Sequence, residues 1–175
     1  IKNLSNTNPA MLKVGDEEWN FGGKGSHWLP HIWGTEGVAW RTDKWTPPRT
    51  EKGFAVPSYG DAWQPDVMGK TMMRPHSGML GAGLYLETTG ALEPGAMKRA
   101  YNDEKTMRKT WQVVTDFCIK NKKQLKLFWN DADTQKNGLM NLGVVVGQTW
   151  DGPPITLMND GKPVQYRAPV EGSLA

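Results

Sequence analysis

Seven of the twelve prolines fall in the first 76 residues, at positions 9, 30, 47, 48, 57, 65 and 75. Each removes a backbone donor and holds φ at about −65°. That spacing argues against a long helix or a central strand anywhere in the stretch. Six of the nine tryptophans lie there too, with only nine Ile, Leu or Val. Residues 1–76 therefore read as an extended Trp/Pro/Gly-rich arm, with Val38 to Arg41 as its best strand. A structureless run of this length is unusual inside a compact domain. It suits a segment that gains order by lying across another protein.

The rest of the chain carries more regular patterns. Met97, Ala100, Glu104, Met107, Trp111, Val114, Cys118, Asn121 and Leu125 alternate at spacings of three and four. They predict an amphipathic helix over about 94–121. Leu142 to Trp150 reads as a strand. Ile155 to Met158, the turn Asn159-Asp160-Gly161, and Pro163 to Arg167 read as a hairpin over about 155–167. The expected fold is α+β, with residues 77–175 forming one long helix packed on a small antiparallel sheet.

Leu, Ile, Val and Phe number 32, about 18% of the chain, which is low for an independent core. Large aromatics then supply the apolar area. Between Lys98 and Lys126 there are nine Lys/Arg against three Asp/Glu, a basic helix face that suits an acidic partner. No apolar run approaches a membrane span. The single cysteine, Cys118, excludes an internal disulfide. The chain begins at Ile1 without a signal-peptide pattern, which leaves a removed leader and the compartment open.

Few residue patterns in the chain carry chemistry. His27 and His31 flank Pro30 and lack a third ligand nearby. Asp133, Gln135, Asn137, Gly138 and Asn141 match calcium-loop positions, but Val144 stands where a bidentate Glu belongs. No metal, cofactor or nucleic-acid partner is expected. Cys118 on the helix stripe reads as an inert buried thiol.

Two enzyme-like segments stand out. Val38-Ala39-Trp40-Arg41-Thr42-Asp43, followed by Pro47-Pro48 and Gly53-Phe54, resembles the first strand and turn of ADP-ribosyltransferase toxins. Gly78 to Tyr85 is similar to a segment of poly-ADP-ribosyltransferase-like domains. The resemblance implies NAD use by Arg41, Tyr85 and a late Glu. Glu171 is the candidate, and it lacks the preceding Glu or Gln of that family's pattern.

The leading expectation is a non-catalytic accessory subunit that docks onto a larger protein complex. Its anchors would be Trp19, Trp28, Trp33, Trp40, Trp45, Trp63, Met107 and Trp111, since Trp is the commonest interface anchor. An ADP-ribosyltransferase-like enzyme and a carbohydrate-binding module are the alternatives.

Overall fold

The computed structural model describes residues 4–18, 20–23 and 27–174. The chain divides into two compact units, Ile1–Gly34 and Thr35–Ala175. In the first, α1 spans Pro9–Glu18. Pro9 opens the helix, where a missing N–H costs nothing. The Asn8 side chain caps it by accepting the Ala10 N–H at 2.9 Å.

The second unit is built on a five-stranded sheet. Its strands are β1 (Glu36–Arg41), β4 (Thr71–Met73), β5 (Leu125–Phe128), β6 (Val146–Trp150) and β7 (Val164–Arg167), in the order β5-β4-β6-β1-β7. The pairs of β4 with β5 and with β6 are parallel. β1 runs antiparallel to both β6 and β7. A separate hairpin joins β2 (Arg49–Glu51) to β3 (Phe54–Val56). Its two turn residues, Lys52 and Gly53, have φ of 51° and 81°, as a tight hairpin turn demands.

Helices cover both faces. α2 (Ser77–Thr88), α3 (Ala96–Arg99) and α4 (Glu104–Lys120) pack together on one side. α5 (Ala132–Met140) and α6 (Gly152–Asn159) pack on the other, with β6 and β7. Side-chain alternation divides the core accordingly. Met73 joins Ala82, Leu86, Met97 and Val114, while Met72 joins Ala39, Trp129, Leu139 and Leu157. This is a three-layer α/β arrangement with a mixed sheet.

The expected single long helix on a small antiparallel sheet is therefore wrong. The helical stripe is carried by α3 and α4, which are separated where Asp103 caps α4 by accepting the Thr106 N–H. Ile155 to Met158 lie in α6 instead of a hairpin strand, because Pro153 and Pro154 open a helix there. The long irregular arm also needs correcting. Val38 to Arg41, the strand expected there, sit in β1, but all six residues of that strand are buried. The flanking prolines stop short of the strand, so it takes a place inside the sheet. The calcium-loop residues Asp133, Gln135, Asn137 and Gly138 lie within α5, and Asn141 ends it.

Small residues let α2 approach the sheet. A Cβ on Gly81 would lie 2.5 Å from Gln148 Oε1 and 2.8 Å from the Tyr59 ring. Glu36 and Leu174 form an isolated antiparallel bridge at the start of β1.

Candidate functional site

β4, β5 and β6 run in one direction, so their C-terminal ends share an edge. The start of β1 joins that edge, since Glu36 is the register partner of Trp150. The chain leaves β4 for β5 on one side of it and then crosses from β5 to β6 on the other. Open sheets place their ligand crevice at such a point, beyond the carboxyl end of the strand. The residue directly after β4 is Arg74.

Arg74 lies among two tryptophans and a carboxylate. Its guanidinium carbon is 5.0 Å from the Trp150 ring centroid and 5.9 Å from that of Trp129, within cation–π range. The two indoles meet edge to face, with centroids 5.1 Å apart. Arg74 Nη1 stands 3.5 Å from Glu36 Oε1.

The supporting contacts hold these groups in place. Trp150 Nε1 donates to Glu36 Oε1 at 3.0 Å, and Gln148 Nε2 donates to Glu36 Oε2 at 2.7 Å. Gln148 Nε2 also donates to the Ser77 carbonyl at 2.9 Å, which ties in the start of α2. Trp129 Nε1 donates to the Gln148 carbonyl at 2.8 Å. Next to the cluster, Asp151 Oδ2 accepts from the Thr35 N–H at 2.8 Å and its hydroxyl at 3.0 Å. The Tyr166 hydroxyl lies 2.9 Å from Thr35 Oγ1. Burial raises the Tyr166 pKa, and the Thr35 contact partly opposes that rise.

The Glu36 side chain is 11% exposed, whereas that of Arg74 is 28% exposed. Two buried polar atoms here have no partner among the described residues: Arg74 Nε and Ser77 Oγ. Leaving one such donor unsatisfied costs about 1–3 kcal/mol. Among the described residues, no group of three His, Cys, Asp or Glu stands close enough together to hold a metal ion.

The tryptophans singled out in the sequence do not gather here. Trp40 is buried in β1, and Trp63 is buried edge to face with Phe117. Trp45 donates to Asp66 Oδ2 at 3.1 Å beside a groove of about 260 Å³ at the opposite edge, also lined by Lys44 and Lys70. Trp111 packs against the α2–α4 core, while Met107 is exposed. Trp28 packs its ring on Gly15, and Trp33 is 63% exposed. Trp19 lies outside the described residues. Trp129 and Trp150, which do form the cluster, are not among the expected anchors. Their signal is position: each ends a short strand-like run.

The NAD-handling residues expected from the ADP-ribosyltransferase resemblance are also dispersed. Arg41 is buried and held by Asp43 and the Leu139 carbonyl. Tyr85 belongs to a helix, α2. Glu171 accepts hydrogen bonds from the Ser58 hydroxyl and the Tyr59 N–H.

No family model matches the sequence, and no curated protein does. Solved structures do resemble it. The spermidine/putrescine ABC transporter substrate-binding protein PotD from Streptococcus pneumoniae matches with a TM-score of 0.58 at 18% identity, over 99% of this chain and 46% of that one. The TpPotD lipoprotein of Treponema pallidum matches with a TM-score of 0.63 at 15% identity, over 98% and 47%. A putative spermidine/putrescine ABC transporter from Listeria monocytogenes matches with a TM-score of 0.58 at 13% identity, over 95% and 48%. The chain spans just under half the length of each.

These likenesses overturn the expected docking subunit of a larger complex, and they favour neither the ADP-ribosyltransferase nor the carbohydrate-module alternative. Among the described residues, no helix is long and apolar enough to cross a membrane. At these identities the comparisons give a fold: the chain has the architecture found in substrate-binding proteins of ABC transporters.

Proposed function

We propose that this chain binds a small charged organic solute at the carboxyl edge of β4, β5 and β6, and serves a membrane transporter of the ABC class. The observation that carries this reading is Arg74 at the end of β4, set against the Trp129–Trp150 pair and facing Glu36. Aromatic surface beside a few converging polar groups is a usual ingredient of a small-molecule site. The fold supports the same reading, since similar structures are substrate-binding proteins named for spermidine and putrescine transport.

Trp150 is partly exposed beside the guanidinium, so a bound solute changes the surroundings of an indole. Intrinsic fluorescence titration with polyamines, amino acids, organic acids and sugars tests the proposal. One class should shift the Trp emission saturably and raise Tm. Trp150→Ala should abolish that response while the far-UV circular dichroism stays native. A chain that answers to no solute in the panel would refute the reading.

A further inference from the structure

The hydrogen-bond balance of the β4 edge distinguishes its charged groups. Three carboxylates stand there, and protein donors already serve all three. Glu36 receives Trp150 Nε1 on one oxygen and Gln148 Nε2 on the other. Asp151 receives the Thr35 N–H and hydroxyl. Asp131, just past β5, receives the Thr134 N–H at 2.7 Å and its hydroxyl at 2.6 Å.

Arg74 is served far less well. A guanidinium carries five N–H donors in a planar fork. Its Nη1 reaches Glu36 only at 3.5 Å, too long for a good hydrogen bond. Its Nε is buried without a partner among the described residues. Three residues along, the Ser77 hydroxyl is also buried without a partner, in a residue only 8% exposed. Gln148 links the two positions by bonding both Glu36 and the Ser77 carbonyl. The edge therefore lacks acceptors, not donors.

The aromatic surface points the same way. Trp150 and Trp129 already have a guanidinium within cation–π distance. An ammonium arriving at those rings would meet Arg74 at close range, and like charges in a partly dry site repel strongly. A carboxylate would meet a planar fork whose position two indoles and Glu36 have fixed, and Arg matches that shape with paired hydrogen bonds.

We infer that the solute taken at this edge carries a carboxylate, received by the Arg74 guanidinium at the end of β4. This rests on the solute-binding reading and narrows it, since a polyamine carries no such group.

A matched four-carbon series tests it: succinate, 4-aminobutyrate and putrescine, titrated calorimetrically into the chain. At least one of the two carboxylates should bind at least about tenfold more tightly than putrescine. Arg74→Lys keeps the charge but loses the fork, and should weaken that carboxylate by about tenfold or more. Native circular dichroism and an unchanged Tm would show that the variant folds. Putrescine binding as tightly as the better carboxylate would overturn the carboxylate inference and leave the solute-binding reading standing. So would Arg74→Lys binding the carboxylate undiminished. Failure of all three compounds would overturn the carboxylate inference. If the wider solute panel also failed, the solute-binding reading would fall with it.

Discussion

Trp150 donates its indole N–H to Glu36 at 3.0 Å, and the two residues are register partners across the β1–β6 pair. One carboxylate therefore joins a strand pairing to the candidate site. Removing it in Glu36→Ala strands the Trp150 donor and one of the two Gln148 Nε2 protons, and leaves Arg74 without this counter-charge. Hydrogen bonds to a charged group contribute about 1.5–3 kcal/mol each. The variant should lose about 2–4 kcal/mol, seen as a urea midpoint about 1–2 M lower. A midpoint within about 0.2 M of the parent's would contradict the network.

The sheet leaves no room at Gly147. A Cβ there would lie 2.4 Å from the Met72 carbonyl oxygen, which is backbone and cannot swing aside. Gly147→Ala should push β4 and β6 apart and cost about 1–3 kcal/mol. Tm should fall by roughly 5–10 °C. Gly152, at the start of α6, is more open: beyond its own chain neighbours and helix backbone, no atom lies within 4 Å of where a Cβ would stand. Gly152→Ala should lower Tm less than Gly147→Ala does, since alanine's helix propensity works against its crowding by Pro153. Equal effects at the two sites would count against the close approach of the strands.

The helix caps titrate. Asp131 lies below the ordinary carboxylate range, chiefly through the Thr134 hydroxyl and then its N–H. Asp103 is lowered likewise, by the Thr106 N–H first and its hydroxyl second. Both carboxylates hold their protons less firmly in the folded chain. Their contribution is present above the unfolded value of about 3.9 and is lost as pH falls through the lowered folded values. Asn caps a helix about as well as Asp and does not titrate. The double change Asp103→Asn with Asp131→Asn should therefore melt like the parent at pH near 7 and fall less steeply below about pH 4. Parallel acid limbs would refute this account.

Cys118 should be slow to react. Burial pushes its thiol up to about 11 from 9.0. Only the thiolate attacks an alkylating agent. At pH 8, iodoacetamide should label it on the order of a hundredfold more slowly than free cysteine, as followed by mass spectrometry. Denaturant should restore the ordinary rate. Rapid labelling of the native chain would show the helix face to be open.

Some features are visible in the sequence and others are hidden for physical reasons. The three-and-four spacing of Met97, Trp111, Val114 and Cys118 reflects helices α3 and α4 packing on the core. Val38 to Arg41 is legible as a strand and lies in β1, but its place inside the sheet is not, because a strand buried on both faces shows no alternation. Its partner at the site, Trp150, is 114 residues from Glu36. Pairing at that distance leaves no local trace. α6 is obscured by competing signals, since Asn159-Asp160-Gly161 reads as a hairpin turn while Pro153-Pro154 opens a helix. The candidate site is scattered in the same way. Glu36 starts one strand, Arg74 follows another, and Trp129 and Trp150 stand at the ends of two more. Only the sheet order brings them to one edge.

Glu36 and Leu174 exchange both backbone hydrogen bonds, at 2.7 and 3.0 Å. The residues that enter and leave the second unit thus lie side by side. In effect the segment is a ring with a single cut at that seam. A ring can be cut elsewhere without changing what is folded. Joining 174 to 35 through a short linker, and opening the chain at the exposed turn near Gly90, should give a circular permutant with the same sheet and the same Arg74 edge.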